Sequence, residues 1–283
     1  MKKNVLNTDL TGKVAVVTGA GGVLCSQFSR VLARAGAKVA LLNRTVEKAQ
    51  KVADEIIAEG GVAKAYCCNV LDKEQCEEVA SQVLSDLGPC DILINGAGGN
   101  NPKATTDKEY FENGDLESET KSFFDLDDNS VTSVFELNFT GSLLPTQAFA
   151  KQMVGREGCN IINISSMNAY RPLTKIPAYS GSKAAVTNFT QWLAVYFSKI
   201  NIRVNAIAPG FFSTEQNAKL LWNEDGTPTA RTGKILAATP MGRFGKSSEL
   251  AGALLFLLNN EAAGFITGIT LPVDGGVSAY SGV

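Results

Sequence analysis

The sequence has no histidine among its 283 residues. That absence removes Ser-His-Asp and Cys-His catalysis, histidine-based zinc sites and any imidazole general base. Acid–base work near neutral pH is left to Tyr, Lys, Cys, Asp or Glu. A basic excess is missing too: 26 Lys and Arg stand against 28 Asp and Glu, for a net charge of −2. Nothing in that balance provides for a nucleic-acid backbone, and no nucleic-acid partner is expected. Long apolar runs are lacking as well. Leu254–Leu258 is far too short to cross a bilayer, and no Lys/Arg-rich apolar segment suggests a membrane surface. Met1-Lys2-Lys3-Asn4 leads into polar residues without the apolar stretch of a signal peptide, so a cytoplasmic location is expected. The six cysteines (Cys25, Cys67, Cys68, Cys76, Cys90 and Cys159) have no CxxC spacing. They fit reduced, buried thiols, and no metal set is expected.

What is present alternates. Apolar runs rich in β-branched residues occur at Val14–Thr18, Lys38–Asn43, Ala63–Asn69, Asp91–Asn95, Asn160–Ser165, Arg203–Ile207 and Thr270–Val273. Helical spacing fills the gaps, as in Val46–Ala58 after a possible Thr45 cap, and in Ala178–Lys199 with Val186, Phe189 and Leu193 on one side. Strands buried on both faces read as continuous apolar runs of this kind. The pattern predicts an α/β fold: a Rossmann-type, doubly wound parallel sheet of about seven strands in a three-layer α/β/α sandwich. A single domain over 1–283 is expected. Polar segments near 100–129 and 215–239 interrupt the alternation and are expected to form the substrate side.

The first strand runs into Thr18-Gly19-Ala20-Gly21-Gly22-Val23-Leu24, at the predicted start of a helix. Bare glycines there let the backbone approach a pyrophosphate, which sits on the helix N-terminus. The second strand ends at Asn43-Arg44, where the residue that reads the adenine-side ribose is expected. An acid there would repel a 2′-phosphate. Asn43 does not, and Arg44 can pair with one, so an NAD(P)(H) cofactor is expected with a lean towards NADP(H). Stacking of Arg44 on adenine would leave NAD(H) acceptable.

At Asn138, Ser166 and Tyr179-x-x-x-Lys183 the sequence resembles the short-chain dehydrogenase/reductase family over nearly its whole length. Thr18–Gly22, Asn95-Gly96-Ala97-Gly98, Ile164-Ser165-Ser166, Pro209-Gly210 and Asp274-Gly275-Gly276 match in the same order. The resemblance implies an oxidoreductase acting on CH–OH, with Tyr179 as proton donor and acceptor and Lys183 favouring tyrosinate and holding the nicotinamide ribose. Ser166 would hydrogen-bond the substrate oxygen, and Asn138 would hold a water of the proton relay. Asn69 and Val70 would flank the adenine, and Asn95, Ala97 and Gly98 would line the ribose region. Pro209, Gly210 and Thr214 would close over the nicotinamide. Two departures stand out: Val23 and Cys25 replace the second and third fingerprint glycines, and Gly96 replaces the usual Asn. The first is expected to shift the helix slightly, the second to matter little.

Within the family, Gly96–Pro102 with its polar insert and Leu220–Gly226 resemble the members that reduce D-fructuronate to D-mannonate. The resemblance implies a small sugar-acid substrate and a homo-oligomer, a tetramer in many relatives. A sugar acid needs hydroxyl readers and a cation for its carboxylate. Asn100, Asn101, Lys103, Arg171 and Arg231 are candidates, with Arg171 expected first. Three alternatives stay open: a reductase of another keto sugar acid of the 5-ketogluconate type, a 3-oxoacyl thioester reductase, and a non-catalytic nucleotide-binding scaffold or sensor.

Overall fold

Five consecutive buried residues form β1 (Val14–Thr18), and their side chains part by alternation. Ala15 and Val17 enter one apolar core, Val14 and Val16 the other. Successive strand residues point to opposite faces, so a strand apolar throughout needs a layer of helices on each side. The computed structural model describes residues 7–213 and 221–282, and both layers are there. On one face α1 (Val23–Arg34), α2 (Val46–Ala58) and α8 (Glu249–Leu258) bring Phe28, Ile56 and Leu254 to the sheet. On the other, α3 (Lys73–Asp86), α5 (Gly141–Phe149) and α6 (Pro177–Tyr196) bring Val83, Phe149 and Leu193.

The remaining strands are β2 (Lys38–Asn43), β3 (Val62–Cys67), β4 (Ile92–Asn95), β5 (Asn160–Ile164), β6 (Arg203–Pro209) and β7 (Thr270–Val273). All pair in parallel, in the order β3-β2-β1-β4-β5-β6-β7. The fold is the predicted Rossmann-type α/β sandwich. Chain direction across the sheet reverses between β1 and β4, which opens a crevice at their carboxyl ends. At the opposite end the same two strands are pinned by Asp91. One of its buried oxygens accepts from the Val14 amide at 2.9 Å, the other from Lys13 at 3.1 Å and Arg156 at 2.6 Å.

Several boundaries differ from expectation. β3 stops at Cys67 rather than Asn69, β6 runs on to Pro209, and α6 ends at Tyr196. β3 is an edge strand exposed along much of its length, so burial does little to mark where it ends. The 100–129 segment is built from single-turn helices at Pro102–Ala104, Asp115–Glu117 and Phe123–Asp125 before α4 (Asp128–Phe135). Within the second polar segment lies α7 (Ala230–Ala237). Lys234 of α7 reaches Glu109 at 2.5 Å, joining the two segments. Among the described residues no helix is long and apolar enough to cross a membrane.

Candidate active site

Over the carboxyl ends of β1, β4, β5 and β6 lies a cleft of about 660 Å³, within the range of small-molecule and cofactor sites. Its glycine wall follows from close backbone approach. Gly19 has φ +65°, and a β-carbon there would fall 2.9 Å from the Ala97 α-carbon. At Gly21 it would fall 2.5 Å from Lys48 Cβ. No side chain caps Gly22 at the head of α1, and no acid sits in the first turn. Helix N–H groups there are free for an anion, with the helix dipole behind them. This bare, uncapped cradle fits the diphosphate of a dinucleotide.

At the other end of the cleft stand Ser166, Tyr179 and Lys183. Tyr179 and Lys183 lie four apart on α6 and share a face, with the ammonium 5.7 Å from the phenol ring centre. Lys183 is buried at 5% exposure and donates to the Ile164 carbonyl at 2.7 Å. Ser165 ties β5 to the same helix, through the Lys183 carbonyl at 3.2 Å and the Thr187 hydroxyl at 2.8 Å. Ser166 accepts from the Asn168 amide at 3.2 Å, and its hydroxyl also pairs with Tyr179.

Asn138 sits in a π-helical turn, Glu136–Thr140, between α4 and α5. Such an extra residue is frequent at functional sites. Its amide donates to the Gly99 and Val134 carbonyls, both at 2.8 Å, and accepts from the Gly99 amide at 3.1 Å. Both amide hydrogens are thereby spent. For a relay water the side chain offers only the second lone pair of Oδ1, and its hydrogen bonds clamp the turn after β4 at Gly99. Gly98 confirms how tight this corner is: a β-carbon there would lie 2.6 Å from Asn138 Oδ1 and 3.2 Å from Lys183 Nζ.

Burial dominates the electrostatics. It pulls the Lys183 ammonium down from 10.5 to about 8. It also raises the Tyr179 phenol, while the Ser166 hydrogen bond acts downward. Without a bound positive ring, then, the phenol keeps its proton. The described cleft wall carries Arg44, Lys48, Lys183 and Arg231 and no carboxylate.

Of the residues expected from sequence, Gly19, Gly21, Gly22, Val23, Leu24, Asn43, Arg44, Asn69, Val70, Ala97, Gly98, Ser166, Tyr179, Lys183, Pro209, Gly210 and Arg231 all line this cleft. Four do not. Asn95 is buried and donates to Thr146 and Asn163, both at 2.9 Å, cross-linking β4 to α5 and β5. Asn100 turns to Thr105 at 3.1 Å, and Asn101 caps the Pro102–Ala104 turn through the Lys103 amide at 3.0 Å. Arg171 is exposed and donates to the Tyr280 carbonyl in the C-terminal segment. Thr214 lies outside the described residues. Sequence reasoning missed Lys48, although it lies in the first turn of α2 four residues after Arg44, and it missed the wall formed by Leu137, Phe211, Phe212, Leu221, Ile235 and Phe244. Apolar residues of that kind look like core until their surroundings are seen.

The two departures also meet. Cys25 fills the space beside Gly96, where an added β-carbon would collide with the sulfur. Bulk gained at 25 is matched by bulk absent at 96.

The model of the short chain dehydrogenase family matches residues 13–225. The chain belongs to that family. An uncharacterized oxidoreductase of Haemophilus influenzae is 61% identical over 277 residues, 98% of this chain and 97% of that one. A Haemophilus crystal structure with NAD bound, proposed to be a D-mannonate oxidoreductase, is 60% identical, covers 99% of both chains and superposes with a TM-score of 0.95. Gluconate 5-dehydrogenase of Gluconobacter oxydans is 33% identical over 95% of this chain and 96% of its own. As a short-chain dehydrogenase, the protein is an oxidoreductase acting on a CH–OH group.

Burial of Lys183 has a measurable consequence. Below about pH 8 both folded and unfolded chains hold its proton, and folding bears the full cost of enclosing the charge. Between about 8 and 10.5 the folded state has lost a proton that the unfolded state keeps, so stability rises with pH. At about 1.4 kcal/mol per tenfold in proton affinity, the cost is on the order of 3 kcal/mol. Lys183→Met should therefore be more stable than the parent at pH 7 by about 1–3 kcal/mol, an advantage that shrinks from pH 8 to 10.5 in denaturant melts. A variant less stable than the parent at pH 7 contradicts this account of the ammonium.

Proposed function

We propose that the protein is a nicotinamide-dependent oxidoreductase of a sugar acid, interconverting D-mannonate and D-fructuronate, with NADP(H) favoured over NAD(H). The observation that carries the substrate class is Arg231: it lines the cleft and, among the described residues, has no side-chain partner and shares the wall with no carboxylate. A guanidinium so placed is suited to a carboxylate, in a bidentate, charge-assisted pair. The apolar wall from Phe211 to Phe244 suits the C–H faces of a sugar chain.

The dinucleotide, when bound, gives or takes the hydride at the alcohol carbon. Gly19, Gly21 and Gly22 with the α1 N-terminus hold its diphosphate, Asn69 and Val70 flank its adenine, and Lys183 holds its second ribose. Ala97, Gly98, Pro209 and Gly210 frame the reacting end. Ser166 hydrogen-bonds the substrate oxygen. Tyr179 donates its proton to that oxygen during reduction and takes it back during oxidation. Asn43, Arg44 and Lys48 form an acid-free corner at the first ribose, and the two cations support a 2′-phosphate. The NAD bound by the Haemophilus relative is compatible, since a plain ribose needs only hydrogen bonds there. For self-association, the exposed stack of Trp192 on Tyr196 along α6 supports the expected homo-oligomer.

The apolar wall favours one second reading, a 3-oxoacyl thioester reductase; a 5-ketogluconate reductase differs only in which hydroxyls are read. Purified protein should oxidise NADPH with D-fructuronate in preference to 5-ketogluconate and a 3-oxoacyl thioester. Tyr179→Phe should lose about 10²–10⁴-fold in kcat. Arg231→Ala should raise KM for the sugar acid about tenfold or more and leave KM for NADPH alone. Preference for the thioester, or an unchanged KM in Arg231→Ala, overturns the substrate assignment. Oxidation with none of the three substrates favours the scaffold.

The nucleotide preference is tested separately. Arg44→Ala should raise KM for NADPH about tenfold, with NADH altered by less than about threefold. Equal loss with both cofactors would mean that Arg44 stacks on adenine.

A further inference from the structure

The turn Gly96–Gly99 that leaves β4 is held from two sides. On one side, Gly96 lies against the Cys25 sulfur so closely that a β-carbon would collide with it, and the Thr18 carbonyl would be 3.1 Å away. Thr18 Oγ1 accepts from the Gly96 and Ala97 amides at 3.0 and 3.1 Å, so the turn cannot slide along β1. On the other side, Gly98 meets Asn138 Oδ1 and Lys183 Nζ, and Gly99 is clamped through both its amide and its carbonyl by Asn138. The turn is thus a spacer between a sulfur on α1 and the ammonium on α6, and both groups lie in the cleft wall.

We propose that Cys25 is a positioning residue: its sulfur occupies the space that a side chain at 96 would take, and so sets the height of the Gly96–Gly99 turn and the place of the Lys183 ammonium. The inference rests on the dinucleotide reading of the cleft. Chemistry supports a thiol in this position. The group is almost wholly buried, and burial pushes its pKa up to about 12. It therefore presents neutral, polarisable bulk beside a buried ammonium, without a second charge to trap it. Packing at interior density makes a misfit of one methyl group felt by its neighbours. Here those neighbours are the groups expected to touch the nicotinamide ribose and the phenol.

The test is a double-mutant cycle on Cys25→Ala and Gly96→Ala. It reads NADPH dissociation by nucleotide fluorescence without substrate, together with the pH profile of turnover. Gly96→Ala alone should weaken NADPH binding about tenfold or more, because the new β-carbon and the sulfur compete for one space. Cys25→Ala/Gly96→Ala should recover to within about threefold of the parent, since the collision is gone. Cys25→Ala alone should move the alkaline midpoint of turnover, because the ammonium resettles; it also carries the test if Gly96→Ala does not fold. A double variant as weak as Gly96→Ala overturns the proposal. So does a Cys25→Ala variant in which thermal stability falls while NADPH affinity and pH profile stay at parental values. If the parent itself binds no NADPH, the dinucleotide reading fails and this inference fails with it. If the parent binds and the cycle shows no coupling, only the positioning role is lost.

Discussion

A positive charge is held inside this protein, and much of the site is arranged around it. Among the described residues the Lys183 ammonium has one direct acceptor, the carbonyl of Ile164 at 2.7 Å. Burial there is strong enough to bring its pKa to about 8. A lone charge in such a place is unfavourable unless its site is rigid and its remaining hydrogens have work. Three segments supply the rigidity: α6 carries the lysine, β5 offers the carbonyl, and the turn after β4 closes over it at Gly98. Two donor hydrogens are left for the cleft. The ammonium is thereby poised both towards a ribose and towards the phenol one helical turn before it.

That arrangement depends on backbone approach, which is why glycine recurs at the crevice. Gly19, Gly21, Gly96 and Gly98 each lie where a β-carbon would meet another chain segment. The parallel sheet brings β1 and β4 side by side, and the reversal of order between them leaves the crevice into which these glycines face. Asn95 and Asn138 then lock the strand end from the helix side. The chemistry needs few residues; the remainder hold them in place.

Much of this was legible in the sequence, for identifiable reasons. Strands β1, β2 and β7 were read to the residue because apolar runs of fixed length end there at turn residues. The Tyr179–Lys183 pair was legible because helical spacing alone puts both on one face. The edge strand β3 was overrun by two residues, since exposure blurs its apolar signal. Arg171 was read as a pocket residue from its nearness to Ser166, but the chain turns after Ala169 and sends it to the C-terminal segment. Asn100 and Asn101 were read as hydroxyl readers, and both are spent on local turns. Arg231 was among the candidates and does line the cleft, whereas Lys48 and the Phe211–Phe244 wall come together only through long-range packing, which no local pattern encodes. The compensation of Cys25 by Gly96 joins positions 71 residues apart and was invisible for the same reason.

The central claim is that one phenol changes proton affinity when a cation arrives beside it. In the protein alone, burial holds the Tyr179 proton more tightly than usual. With the oxidised cofactor bound, the positive ring and the Lys183 ammonium should reverse that. Ring-labelled tyrosine NMR, with Tyr179→Phe to assign the signal, measures the titration directly. The account predicts a midpoint above 10 without cofactor and a fall of about two pH units or more in the NADP⁺ complex. A midpoint that stays above 10 in the complex would contradict it.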